Sequence, residues 1–244
     1  MEPSGAAAVI IGNEVLTAKV VDANGPHLIR RLREVGIALR SLEIVPDEVD
    51  LIVEAVARAR LRARYVFTSG GIGPTHDDVT VRAVALAMGR RVVRLPEMVA
   101  LVQEKAQERM TAEALRLADA PEGAVLLPQP GSWYPVLTVE EVFLLPGVPQ
   151  LFRAQLEAVL ARLRGTPVHL RVLYLGLGES LVAAVLDQVA LGMPHVAIGS
   201  YPMFDPSLDY RVKVTVESVE KDSVEEAVTR LQAGLPVGSV VRLE

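Results

Sequence analysis

Short apolar runs alternate with amphipathic segments along the first two-thirds of the chain. The apolar runs at residues 6–12, 37–45 and 65–68 have the length of buried strands, and a segment with apolar positions at helical spacing follows each one. Strands that alternate with helices predict parallel β-α-β units, with helices on both faces of the sheet. The carboxyl ends of such strands meet at one edge, where ligands bind.

The pattern changes at the turn-forming residues 165–167. Before this point it predicts a long helix over residues 95–117, a buried strand at 142–145 and a helix that ends near Gly165. We therefore predict two domains, a doubly wound and mostly parallel α/β domain at residues 1–165 and a small split α+β domain at 166–244. In the second domain we expect strands at 168–175, 195–201 and 210–219 and helices at 179–189 and 223–235.

A glycine-rich loop follows the third strand and is the main candidate for ligand binding. Glycines permit positive φ and a close approach of the backbone to a ligand, and N–H groups at a helix N-terminus favour phosphate. The acidic pair after the glycines predicts a divalent cation that bridges carboxylate and phosphate. Asp77 as a simple helix cap is the alternative. The candidate residues are Ser69, Gly70, Gly71, Gly73, Thr75, Asp77 and Asp78.

Polar residues at the other strand ends and helix starts are predicted to face the same edge. Glu14 and Asp78 are the candidate metal ligands, and Asn24 can supply amide hydrogen bonds. Asp47 faces either the ligand or only the dipole of its helix, and His76 acts either in proton transfer or as a surface residue. The remaining candidates in this group are Gly12, Pro146 and Gly147, and Trp133 and Tyr134 either stack on a flat ring or form a hydrophobic lid.

Charge and composition narrow the class of partner. The 25 basic and 30 acidic residues give a net charge of −5, which provides no general electrostatic footprint for nucleic acid or an anionic membrane. The chain contains no cysteine and no run of about 20 apolar residues. We expect a soluble cytoplasmic protein that binds a small molecule and has no nucleic-acid or membrane partner.

Four segments together resemble the molybdopterin-binding-like domain of the CinA family. They are residues 12–16, 22–24, 70–78 and 145–149, and the later residues 176–180 and 198–202 resemble the small domain that follows in CinA-type proteins. The run from residue 134 to 152 is similar to the corresponding domain of animal FAD synthases. The resemblance implies the fold of the MogA and MoeA proteins, a homodimer, and no amidase domain, for which the chain has no room.

The resemblance also implies a metal-dependent hydrolysis of ADP-ribose or FAD, with Mg²⁺ or a similar divalent metal as cofactor and Asp78, Asp77 and His76 as catalytic residues. Two departures bear on this activity. Asn13 replaces an acidic residue of the family, and Gln129 lies in a segment that replaces the family's asparagine-containing one. The competing hypothesis is a molybdopterin- or nucleotide-binding protein without hydrolysis, or a nucleotidyl-transfer relative in molybdenum-cofactor synthesis.

Overall fold

A computed structural model describes residues 5–107 and 110–244. The chain forms two compact units, the first ending at Gly165 and the second beginning at Thr166. No helix within the described ranges is both long and apolar enough to cross a membrane.

The first unit contains eight strands and six α-helices among its described residues. The strands are β1 (Ala6–Ile11), β2 (Leu39–Val45), β3 (Tyr65–Ser69), β4 (Val92–Arg94), β5 (Asp119–Pro121), β6 (Val125–Leu127), β7 (Val136–Val139) and β8 (Val142–Leu145). The helices are α1 (Asn13–Leu16), α2 (Asn24–Glu34), α3 (Val49–Arg62), α4 (Thr80–Ala87), α5 (Pro96–Ala106) and α6 (Pro149–Leu160).

Six of these strands form the central sheet, in the order β2-β1-β3-β8-β7-β6. The first four run parallel, and β7 and β6 pair antiparallel at the far side. The expected doubly wound, mostly parallel α/β fold is therefore confirmed. The carboxyl ends of β1, β3 and β8 lie side by side, so the loops that follow them share one edge.

Strands β1, β3, β7 and β8 of this sheet are buried on both faces because they are rich in apolar residues. In β1, Ala7, Val9 and Ile11 pack on the α3 and α4 side, whereas Ala6 and Ala8 pack on the α2 and α6 side. This alternation follows from the two-residue period of a strand. It produces three layers, with a separate apolar core on each side of the sheet.

The segment after α4 departs from the predicted long helix over residues 95–117. Helix α5 ends at Ala106, and a 3₁₀ helix covers Ala114–Ala118. The short strand β4 pairs antiparallel with β5, so that Arg94 lies opposite Asp119. The prediction was wrong for the second half of this range. The strands β4 and β5 flank the range and pair with each other, and the N–H of Leu95 donates to the carbonyl of Ala118 at 2.9 Å. The two ends of the segment therefore meet, which a single straight helix does not allow.

The second unit is a four-stranded antiparallel sheet covered by two helices. The elements are β9 (His169–Leu175), α7 (Glu179–Gly192), β10 (Ala197–Pro202), β11 (Val212–Ser218), α8 (Lys221–Gly234) and β12 (Val240–Leu243). The strand order is β10-β11-β9-β12, and one apolar core lies between this sheet and the helices. The predicted α+β arrangement is confirmed, with β12 as one further strand.

Gly70 makes the turn from β3 into the glycine-rich loop. Its φ is +107°, and a Cβ placed on it would lie 2.2 Å from the carbonyl oxygen of Ile11. Its N–H donates to the carbonyl of Leu145 at 3.0 Å. The backbone of the loop therefore lies against β1 and is tied to β8, and only glycine fits there.

We predict that Gly70→Ala strongly destabilises the first unit. The added methyl group meets a backbone oxygen and the backbone keeps an unfavourable φ, so the free energy of unfolding should fall by at least about 3 kcal/mol. The matched control is Gly89→Ala, where φ is +65° and nothing lies within 4 Å of the new Cβ. That substitution should cost only about 1 kcal/mol.

Trp133 is the single tryptophan of the chain, so its fluorescence during urea unfolding reports on the first unit alone. Equal losses of stability in the two variants would contradict the close approach of Gly70 to β1.

Candidate functional site

A cleft of about 750 Å³ opens at the carboxyl ends of β1, β3 and β8. Its walls come from the loop after β1, the glycine-rich loop, the loop before α6 and the irregular segment before β7. The volume is in the range of cavities that hold a cofactor-sized molecule. The cleft has an acidic end and an apolar end.

Glu14, Asp47, Asp77 and Asp78 line the acidic end. Burial raises the pKa of Asp47, and the negative charges of Glu14, Asp77 and Asp78 raise it further, although the N–H of Asn13 donates to its Oδ2 at 2.8 Å and opposes this rise. The four carboxylates therefore act on one another electrostatically. Charge of one sign is concentrated here in the free protein.

The acidic pair is held by Thr75, which lies at the start of the loop's last turn. Its N–H donates to Asp78 Oδ2 at 2.8 Å, and its hydroxyl donates to Asp77 Oδ1 at 2.6 Å and also contacts Asp78 Oδ2. The hydroxyl contact lowers the pKa of Asp77. Helix α4 begins later, with Val79 at its N-cap and no side-chain cap, so Asp77 does not have the capping role that was its alternative interpretation.

The main chain of the glycine-rich loop presents free donors beside these carboxylates. Residues 71–73 all line the cleft, and within the described part of the chain their N–H groups have no hydrogen-bond acceptor. Thr80 stabilises the loop from behind, because its hydroxyl donates to the carbonyl of Gly70 at 2.8 Å and its N–H donates to that of Gly71 at 2.9 Å. Successive free N–H groups in such a turn form an anion-binding site.

Asn24 lies beneath the loops and joins them. Its Nδ2 donates to Ser69 Oγ at 3.0 Å and to the carbonyl of Gly147 at 2.8 Å, and the residue is only 5% exposed. Asp22 lies just before the helix that carries Asn24, and its Oδ1 accepts the N–H of Asn24 at 2.9 Å. Asn24 therefore fixes the end of β3 relative to the loop before α6 and does not itself line the cleft.

The apolar end of the cleft lies between α6 and the segment before β7. The ring of Trp133 meets that of Tyr134 edge to face, with centroids 5.4 Å apart. The Tyr134 hydroxyl donates to the carbonyl of Leu117 at 3.3 Å, and burial raises its pKa. Val148 and Leu151 complete an apolar wall suited to a flat ring.

The structure brings most of the predicted residues to one cleft. The His76 side chain is 94% exposed and is outside the lining, where its Nδ1 lies 3.9 Å from Asp77 Oδ1. Ser69 and Asn24 support the cleft from below, and Gly12 and Thr75 adjoin it without lining it. The predicted residues that line the cleft are Glu14, Asp47, Gly70, Gly71, Gly73, Asp77, Asp78, Pro146 and Gly147.

Sequence reasoning missed two polar residues near the ligand edge. Arg116 donates to the carbonyl of Thr75 at 3.3 Å and brings a positive charge to the glycine-rich loop. Gln155 lines the cleft from α6. A polar residue within the apolar stripe of that helix was a signal for Gln155, whereas nothing local marks Arg116.

The oxygen donors of the acidic end are those that Mg²⁺ prefers. Across residues 5–107 and 110–244, however, no three acidic or histidine side chains are grouped closely enough to hold an ion by themselves. Glu14 has no side-chain hydrogen bond among the described residues, and Asp78 is engaged by Thr75. A cation at this end would therefore need further ligands from a bound phosphate and water.

The family described as "Probable molybdopterin binding domain" matches residues 7–165. The chain belongs to this family. The family described as "FAD synthase, middle domain" matches residues 167–244. The resemblance to CinA-type proteins and FAD synthases is thus confirmed for both units.

Three similar proteins illustrate how much of the chain is shared with its relatives. A protein of Pyrobaculum calidifontis is 36% identical over 80% of this chain and 79% of its own. A probable FAD synthase of Caenorhabditis elegans is 29% identical over 93% of this chain, which spans only 49% of that protein. The crystal structure of the protein CinA with unknown function from Thermoplasma acidophilum is 30% identical, with a TM-score of 0.61, over 65% of this chain and 97% of its own.

We predict that Asp47→Asn stabilises the molybdopterin-binding domain near neutral pH. The folded state raises the pKa of Asp47, so it binds the proton more tightly than the unfolded state. Its stabilising effect is complete below the ordinary aspartate value of 3.8 and is lost as the pH rises through the folded value. Asparagine removes the charge and keeps an acceptor for the N–H of Asn13, for a gain of less than about 1 kcal/mol.

Urea unfolding followed by Trp133 fluorescence at pH 7 and pH 3.5 measures this effect. The gain should be present at pH 7 and shrink at pH 3.5. Asp50→Asn, on the exposed first turn of α3, is the control and should give no gain, because that carboxylate favours the helix N-terminus. A gain independent of pH would show that charge repulsion at Asp47 is not its source.

Proposed function

We propose that the protein is a metal-dependent nucleotide pyrophosphatase that hydrolyses the diphosphate of ADP-ribose, FAD or a related dinucleotide. The observation that carries this proposal is the position of the free N–H groups of residues 71–73 beside four carboxylates in one cleft. The amides suit phosphate oxygens, and the carboxylates suit a cation that offsets phosphate charge. The apolar end has the character needed for a nucleotide ring.

Glu14 and Asp78 are the residues that hold the cation in this proposal. A divalent metal bound there would neutralise charge on the phosphoryl oxygens and would make a water molecule bound to it more acidic. Mg²⁺ is commonly bound by one or two carboxylates together with substrate phosphates, so a preformed cage of three protein ligands is not required.

Groups of the chain itself then orient the diphosphate and accept the proton of the attacking water. The N–H groups of residues 71–73 bind its oxygens and stabilise charge that develops on them. Asp47 accepts the proton of the attacking water in this proposal, because burial raises its pKa and makes it a better base than an exposed aspartate. His76 has no part in this scheme, since its side chain is outside the cleft lining.

A second candidate function is the binding of molybdopterin or a nucleotide without hydrolysis. Asn13 favours this alternative, because its uncharged amide side chain takes the place of a further carboxylate that the family resemblance predicts. The family description names molybdopterin as the bound molecule. Cytoplasmic location and a homodimer stay predictions under either function.

Incubation of the pure protein with ADP-ribose, FAD and NAD in the presence of Mg²⁺ or Mn²⁺ tests the hydrolysis. AMP release is measured by chromatography. We expect Glu14→Gln and Asp78→Asn each to lower kcat/KM by about 100-fold or more, because each removes a charge that acts at the reacting diphosphate.

Asp50→Asn is the matched control, since Asp50 is exposed and outside the cleft lining. It should leave kcat/KM unchanged. Failure to release AMP from any dinucleotide, together with thermal stabilisation by a pterin but not by ADP-ribose or FAD, would replace hydrolysis with the binding function.

A further inference from the structure

The amide of Gln155 lies at the apolar end of the cleft, and only one of its two polar atoms has a hydrogen-bond partner among the described residues. Gln155 is 2% exposed and lines the cleft from α6. Its Nε2 donates to the carbonyl of Tyr134 at 3.1 Å, whereas its buried Oε1 has no partner among the described residues.

The orientation of this amide is determined by its partner. The Tyr134 carbonyl can only accept a hydrogen bond, so the nitrogen of Gln155 has to face it and the oxygen has to face away. A buried amide oxygen without a donor is destabilising for the free protein, because it has lost its water and gained nothing. A ligand that brings a donor into the cleft removes this cost.

The neighbours of Gln155 indicate the kind of ligand. Leu151 and Ala154 lie on the same face of α6 and also line the cleft, and Trp133 and Tyr134 supply aromatic surface on the other wall. A flat, largely apolar ring fits between these walls, and one acceptor among apolar groups selects a ring by its hydrogen-bond donor.

We propose that Gln155 is the specificity residue of the cleft and that its Oε1 accepts a hydrogen bond from an amino group on a nitrogen heterocycle. The inference rests on the proposed function only in placing a ring at the apolar end and phosphate at the acidic end. Adenine and pterin both carry such an amino group. A flavin ring carries no amino group, and its ring N–H lies between two carbonyl oxygens that repel a further acceptor, so we expect FAD to enter with its adenine.

A comparison of two mononucleotides tests the proposal without any variant. AMP and purine riboside 5′-monophosphate differ only in the 6-amino group, and neither contains a diphosphate that can be hydrolysed. We expect calorimetry in Mg²⁺ to show about tenfold tighter binding of AMP, because the analogue leaves the buried oxygen unsatisfied. Pterin and its analogue without the 2-amino group form a second pair of ligands. A preference for the amino-bearing ring in this pair alone would show that Gln155 Oε1 binds a pterin and not adenine.

Gln155→Met provides the complementary test, since methionine has a similar length and no amide. We expect the preference for the amino-bearing ring to fall from about tenfold to near one. If Gln155 acted only through its hydrogen bond to Tyr134, the substitution would weaken the binding of both ligands of a pair equally. The ratio of their affinities would then stay unchanged. Tyr134→Phe is the control, because it removes the hydroxyl bonded to Leu117 and leaves the Gln155 amide intact, so the ratio should persist.

Equal affinity of the wild-type protein for both members of each pair would overturn the proposal, as would a Gln155→Met variant that keeps the tenfold preference. Failure of all four ligands to bind would also overturn it. A clear preference for the amino-bearing ring without any release of AMP from dinucleotides would support the role of Gln155 and reject only the hydrolysis.

Discussion

Gly70 lies at the end of β3, the strand between β1 and β8, with its N–H on the carbonyl of Leu145 and its Cα against the carbonyl of Ile11. A side chain of any size would push the loop away from both neighbours. The free N–H groups of residues 71–73 follow directly, and Thr80 holds them from behind. The position of the anion-binding donors relative to the three strand ends therefore depends on this one backbone contact.

The same edge also gathers negative charge, which a fold selected only for stability would avoid. Burial raises the pKa of Asp47, and the nearby negative charges of Glu14, Asp77 and Asp78 raise it further. Groups that destabilise the free protein are typical of functional sites, because their cost is offset when the ligand binds. In the proposed function a cation and a diphosphate together supply that compensation.

The two ends of the cleft divide the recognition of a ligand between them. The acidic end and the loop amides respond to charge, and they tolerate any molecule that presents phosphate and a cation in the right place. In our proposal the apolar end selects the shape of the ligand's ring, and Gln155 selects an amino group on that ring. Buried polar groups discriminate strongly because an unmatched ligand leaves them unpaired. Under this proposal the ring at the apolar end, and not the phosphates, determines the substrate class.

The sequence by itself determined the strand-helix alternation of the first unit, the position of the glycine-rich loop and the acidic residues beside it, because periodicity and turn chemistry are local signals. Helical spacing failed in the second half of residues 95–117, because the flanking strands β4 and β5 pair and bring the two ends of this segment together. Only the tertiary structure showed that Asn24 joins two loops, that His76 is outside the cleft lining, and that Gln155 keeps a free acceptor. These roles depend on contacts between residues far apart in the chain, whose distances no local pattern encodes.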